Sequence, residues 1–130
     1  MRNVQVGVMP RKEYQKYLLA VAAGTRQKEA EMPEIAFSSI ESMLQLLVNN
    51  LKILKLIAQQ GPNTITELAQ LSGRKPSNLS RTLKSFEGVG LVRLEDSPTG
   101  RGKKPVVTVS GLNIKVPFTE PAFFQVVAIA

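Results

Sequence analysis

The most regular alternation of apolar and polar positions lies in GRKPSNLSRTLKSFEGVG, Gly73 to Gly90. Leu79, Leu83 and Phe86 recur at helical spacing and so share one edge of a helix. The opposite edge carries Ser77, Asn78, Ser80, Arg81, Lys84 and Ser85, all small polar or cationic. Pro76 suits the first helical position, where its missing N–H costs nothing, and Gly88-Val89-Gly90 predicts the end. Upstream, Thr64 and Glu67 have the spacing of a capping box, which satisfies two otherwise unpaired backbone donors. They precede ITELAQLSG, whose Ile65, Leu68, Ala69 and Leu71 are expected to face inward, and Gly73 supplies the turn between the two helices. Ser38 and Glu41 repeat the capping-box spacing further back. Behind them Ile40, Leu44, Leu47, Leu51, Leu54 and Ala58 form one stripe, and Met43, Leu46, Ile53 and Ile57 a second. So wide an apolar arc predicts a central helix that touches more than one neighbour, stopped by Gly61-Pro62.

Beyond Gly90 the period changes. LVRLE and PVVTVS, rich in β-branched and apolar residues, flank DSPTGRGKK with its Pro98, Gly100 and Gly102. Two strands around such a tip predict a β-hairpin. At the other end, residues 1–10 carry no strong signal. Arg11 to about Ala30 reads as a helix with Tyr14, Tyr17, Leu18 and Val21 on one weakly apolar face; Gly24 is a point at which it could end or loosen, and Pro33 stops it. MPEIAF, Met32 to Phe37, reads as an extended linker, because a residue before proline avoids helical geometry. Gly111 to Ala130, with Pro117 and Pro121, is expected to be extended. The fold class expected is therefore mainly α with a small β-hairpin (α+β). An N-terminal helical extension and linker would occupy 1–36, a helix-turn-helix domain with its hairpin 37–118, and a tail without an assigned role 119–130.

Composition narrows the chemistry. The 130 residues contain no Cys and no His, which removes disulfides, thiolate nucleophiles, Cys/His zinc sites and the usual general base. The ten acids form no recognisable catalytic motif. Gly88-x-Gly90 lacks the rest of a dinucleotide fingerprint, and Gly102-Lys103 lacks both the upstream glycine and the following hydroxyl of a P-loop. The expectation is a protein that is not an enzyme and holds no cofactor. The longest apolar region, Met43 to Ala58, is interrupted by Gln45, Asn49, Asn50, Lys52 and Lys55, so no membrane span is expected. YLLAVAAG after Arg11, Lys12 and Lys16 imitates a signal peptide, but its apolar core is too short for one. A cytoplasmic location follows.

Seventeen Lys and Arg against ten Asp and Glu give a net charge of +7, and residues 73–104 alone hold eight cations and three anions. A basic surface so localised attracts polyanions. Helix, short helix, turn, helix and hairpin is the order of a winged helix-turn-helix. In that arrangement the third helix enters the major groove and the hairpin touches the flanking backbone or minor groove. Residues 76–87 would be the recognition helix and 96–104 the basic wing. Asn78 and Arg81 are the candidate base readers, since Asn matches adenine and Arg guanine bidentately. Ser77, Ser80 and Lys84 suit phosphate positioning. Arg74 and Lys75 in the turn complete that surface, and Arg101, Lys103 and Lys104 would serve the wing from a glycine-flanked tip.

TITELAQLSGRKPSNLSRTLKSFEGVGLVRLE resembles winged-helix transcriptional regulators of the MarR and ArsR kind. The resemblance rests on Leu79-Ser80-Arg81, Leu83-Lys84 and the turn Gly90-Leu91-Val92. More narrowly, the chain is similar over about residues 18–118 to small prokaryotic MarR-type proteins assigned to DNA binding, some found beside toxin-like partners. The shared blocks are Ala20 to Gly24, Phe37 to Ser39, Gly73-Arg74 with Ser77-Asn78, and Lys103 to Val107. The resemblance implies a sequence-specific regulator of double-stranded DNA, with repression the expected sense. It would work as a homodimer paired through the helix around Tyr14 to Val21 or through the spare stripe of the central helix. The alternative it implies is a winged-helix adaptor, for example the antitoxin-like partner of a toxin encoded nearby.

Overall fold

The computed structural model describes residues 2–28 and 32–116; the tail 119–130 lies outside them. In chain order the elements are β1 (Asn3–Val8), α1 (Arg11–Ala22), β2 (Ile35–Phe37), α2 (Ile40–Met43) and a π-helical segment (Leu44–Val48). They continue with α3 (Asn49–Gln60), α4 (Ile65–Ser72), α5 (Pro76–Gly88), β3 (Val92–Asp96), β4 (Lys103–Val107) and β5 (Gly111–Ile114). The chain divides into two compact units. One is Met1–Arg2 with Leu44–Ser110, and the other is Asn3–Met43 with Gly111–Ala130. This division lies at 43/44 and 110/111; of the bounds expected from the sequence, 36/37 and 118/119, the second falls outside the described residues. The division follows strand pairing, which binds segments from the two ends of the chain into one sheet.

That sheet has the order β2-β1-β5, and both pairings of β1 are parallel. The expected N-terminal helical extension is corrected by it: residues 3–8 form the central strand, and MPEIAF supplies an edge strand rather than a linker. Val4 and Val6 are buried, as a central strand's side chains should be. The mixed α and β character expected of the chain is present, with more strand than a single hairpin. Helix α1 connects β1 to β2 and packs on β2, burying Tyr17 in a cluster with Met9 and Met32. Tyr14 and Val21 pack against that cluster as anticipated, but Leu18 turns outward. The helix is shorter than the expected run to 30, because Gly24 takes a left-handed φ of 76° that a continuing helix does not allow.

In the other unit the π-helical segment leads directly into α3. The apolar stripes are re-sorted there. Leu47, Ile53 and Ile57 are buried, while Leu44, Val48 and Ala58 are exposed. A π turn takes up an extra residue, so a face that was continuous at 3.6-residue spacing rotates at this point. The capping box expected at Ser38 and Glu41 is also displaced. Ser39 Oγ accepts from the Ser42 amide at 3.1 Å instead. The second box forms as expected in its first half, the Thr64 hydroxyl accepting from the Glu67 amide at 3.1 Å. Glu67 returns the bond to the Asn63 amide at 2.7 Å, one residue earlier than the cap itself. Helices α4 and α5 pack on each other, α3 packs on α4 and β4, and α5 rests on β3 and on the π-helical segment. Strands β3 and β4 form the expected antiparallel hairpin, with Asp96 opposite Lys103.

Tyr14 shows how the sheet unit is tied together. Its hydroxyl donates to the carbonyls of Pro33 at 2.9 Å and Glu34 at 3.2 Å, just before β2. Burial first, then the neighbouring Tyr17 and Glu34, raise its ionisation above the ordinary tyrosine value. A raised folded-state value means that the stabilisation is complete below about pH 10 and is lost as pH rises through the folded value. Tyr14→Phe is therefore expected to lower stability at neutral pH by about 0.5–1.5 kcal/mol. It should also flatten the loss of stability as pH rises above the ordinary tyrosine value, both measured by urea unfolding at stepped pH.

Candidate nucleic-acid interface

The buried edge of α5 decides what its other edge can do. Leu79, Leu83 and Phe86 each have 0 % of their surface exposed. With that edge consumed, Ser77, Asn78, Arg81, Lys84 and Ser85 are all exposed. Gly73 closes α4 in the left-handed conformation, φ 72°. Lys75 stands at the N-cap of α5 without a side-chain cap, and Pro76 occupies the first turn as anticipated. The first turn of α5 thus presents uncapped N–H groups and the positive end of the helix dipole beside Ser77 and Asn78.

Arg74 departs from the outward role expected of it. Its Nη1 donates to Asn50 Oδ1 at 2.6 Å. Its Nη2 donates to Thr82 Oγ1 at 3.1 Å and also to Asn78 Oδ1. Asn50 in turn donates through Nδ2 to the carbonyls of Leu46 at 2.8 Å and Gln45 at 3.3 Å, inside the π-helical segment. A guanidinium has donors only, so both amides must turn their oxygens toward Arg74. Arg74 thus donates both to α5, at Asn78 and Thr82, and to Asn50, which passes the donation on to the π turn. Neither Asn50 nor Thr82 was anticipated as a participant. The sequence shows Asn50 only as one of several polar interruptions, with Gln45, Asn49, Lys52 and Lys55, of an apolar region.

Of the remaining expected contacts, Lys75, Ser77, Arg81 and Lys84 are exposed, and among the described residues their side chains make no hydrogen bond or ion pair. Ser80 is half-buried. Ser85 returns its hydroxyl to the Arg81 carbonyl at 3.2 Å. On the hairpin, only Arg101 sits in the tip. Lys103 and Lys104 lie on β4, opposite Asp96 and Glu95 respectively, which corrects the expectation that all three share the tip. Lys103 Nζ bonds Asp96 Oδ1 at 2.7 Å. That hydrogen bond holds the Asp96 carboxyl below the ordinary range and raises the Lys103 ammonium, so the pair stays ionised around neutrality. Lys103 is thereby partly neutralised, while Arg101 and Lys104 make no ion pair among the described residues.

The tip is also better organised than its glycines suggested. Buried Ser97 shares a hydroxyl contact with Thr99 at 2.8 Å and accepts from the Thr99 amide at 3.2 Å. Its backbone bonds both Gly100 and Gly102. Ser-Pro-Thr-Gly carries the turn signal, since serine hydroxyls stabilise turns by bonding the backbone two residues on. Among the described residues no group of three or more His, Cys, Asp or Glu is placed to hold a metal ion.

A family model described as HVO_A0114 matches residues 45–114, more than half of the chain. The chain belongs to the HVO_A0114 family. The HVO_A0114 match begins in the π-helical segment and ends with β5, so it includes Asn50, Arg74, all of α5 and the hairpin. No curated protein and no solved structure matches the chain.

The hydrogen-bond network through Arg74 gives a stability prediction. Asn50→Ala leaves the guanidinium and the Leu46 carbonyl each short of a partner in a half-buried place, so it should cost about 1–3 kcal/mol. Thr82→Val removes one of three acceptors around Arg74 and should cost less. Urea unfolding of both variants measures the order.

Proposed function

We propose that the chain is a sequence-specific, non-enzymatic regulator of transcription that binds double-stranded DNA through a winged helix-turn-helix of the MarR/ArsR-like kind. Helix α5 would lie in the major groove and the β3–β4 hairpin on the backbone or minor groove. The observation that carries this reading is the outward edge of α5. Lys75, Ser77, Arg81 and Lys84 are exposed and their side chains make no hydrogen bond or ion pair among the described residues, on a helix whose other edge is buried. A helix for docking apolar partners would expose leucine, methionine or aromatic side chains there, and this one exposes none. Repression is the simplest mode for such a reader, and the cytoplasm its place.

A single reading helix spans few base pairs, so a two-fold dimer on a pseudo-palindrome is part of the proposal. Leu44, on the first apolar stripe, and Val48 four residues further on are exposed at 45 % and 50 %, which supports pairing through this segment. A second reading draws on Leu19, 71 % exposed on α1. An adaptor would use such a face to hold a protein partner, for example a toxin-like protein encoded nearby.

Duplex binding is expected to weaken steeply with salt, with a log–log slope of roughly −5 to −9 for a dimer making about 3–5 phosphate contacts per subunit. Arg81→Ala should relax preference at one position of the site, at a cost of about 1–3 kcal/mol. Lys104→Ala should weaken all sequences alike and flatten the slope. Lys103→Ala should do less, because Asp96 already neutralises it, and Asp96→Asn should strengthen binding. Fluorescence anisotropy on a genomic fragment pool over a salt series measures these. Wild-type binding by both Arg81→Ala and Lys104→Ala would remove the basis of the DNA reading.

A further inference from the structure

We infer that Arg74 is a positioning residue, not a DNA contact: it locks the Asn78 carboxamide with its nitrogen outward, so that Asn78 selects guanine rather than adenine. The inference rests on the DNA-binding reading above and deepens it by naming the base that this position prefers.

Asparagine reads adenine by using both ends of its amide. The oxygen accepts from the N6 amino group and the nitrogen donates to N7. Both ends must be free to face the base. Here the oxygen of Asn78 accepts from Arg74 Nη2. The orientation is not a choice between equivalent fits, because a guanidinium cannot accept and so cannot face the amide nitrogen. Arg74 is itself held in place by Asn50 at 2.6 Å and Thr82 at 3.1 Å, and Asn50 is held by two carbonyls of the π-helical segment. Turning Asn78 over would therefore set two donors face to face against an anchored cation. Arg74 bonds Asn78 and Thr82, one turn apart on α5; Asn78 is exposed, while Arg74 and Thr82 are half-buried.

The second lone pair of the Asn78 oxygen does not restore adenine reading. An adenine amino group brought to it would approach with its positive hydrogens beside the guanidinium. Guanine offers the opposite match, with N7 and O6 both acceptors on one edge. The outward amide nitrogen and the adjacent positive charge both favour that edge. Arg74 thus acts on sequence preference through Asn78, and its own charge is directed into the protein rather than to phosphate.

The test is selection from a random-sequence duplex pool with the full chain, comparing wild type, Asn78→Ala, Arg74→Met and the double variant, with salt slopes measured on the winning duplex. Wild type should enrich guanine at the position whose preference Asn78→Ala erases. Arg74→Met should shift that same position toward adenine by about fivefold or more, the discrimination a two-ended amide contact provides. The double variant should match Asn78→Ala alone, and the salt slope of Arg74→Met should equal that of wild type. Adenine at the Asn78-dependent position in wild type overturns the inference, as does a slope flattened by loss of Arg74. The Asn78→Ala arm alters an exposed side chain, so the comparison with wild type decides the base even if Arg74→Met fails to fold. Enriched sequences with the wrong base would refute this inference alone, whereas no enrichment by wild type would refute it together with the DNA reading.

Discussion

The full burial of Leu79, Leu83 and Phe86 is the constraint from which the rest of the helix–hairpin unit follows. Each is completely removed from water, and together they fix the rotation of α5 about its own axis. A helix offers only two sides once one is committed, so Ser77, Arg81 and Lys84 have no course but outward. Moving the buried edge by one residue would place Ser80 or Lys84 against the core, where an unpaired polar or charged group costs several kcal/mol. The rotation of the proposed reading surface is thus set by packing, before any electrostatic consideration arises.

Polar interactions then refine what packing has set. A hydrogen-bond network joins Asn78 to Arg74, Arg74 to Asn50, and Asn50 to the carbonyls of Gln45 and Leu46. A π turn leaves its carbonyls less regularly paired than an α turn does, and an asparagine placed just after it can use them. This gives the irregular segment a positive role: it anchors the side chain that orients Asn78. On the hairpin the same logic limits charge. Asp96 takes up Lys103 across the strand pair at 2.7 Å, leaving Arg101 in the tip and Lys104 on the strand as the cations available to a polyanion.

The parts that could be read from residue order were those specified locally. Helix α5 and the hairpin follow from Pro76, the 79/83/86 spacing and the glycines around the tip. The Thr64 cap follows from a hydroxyl three residues before a glutamate. What escaped was set by partners distant in the chain. NVQVGV does alternate, and Val4 and Val6 are indeed buried, but its strand partners lie at Ile35–Phe37 and Gly111–Ile114, with no turn nearby to announce either. Asn50 lies 24 residues from Arg74, and nothing in either neighbourhood marks the pairing. The π turn follows no composition rule, and within it Leu44 is exposed although the spacing grouped it with buried Leu47. Arg74 itself was visible as a cation, but whether a cation points to solvent or to an asparagine is decided by tertiary packing.

The outward edge of α5 and the basic hairpin are proposed to form one DNA-binding surface. Backbone amide NMR of the labelled chain, titrated with a duplex from the genomic pool, tests it most directly. The account predicts that perturbed amides gather at Lys75 to Lys84 and at Arg101 to Lys104, while those of β1 and of the Tyr17 cluster hold still. Perturbation concentrated on α1 around Leu18 and Leu19, with α5 unmoved, would contradict it.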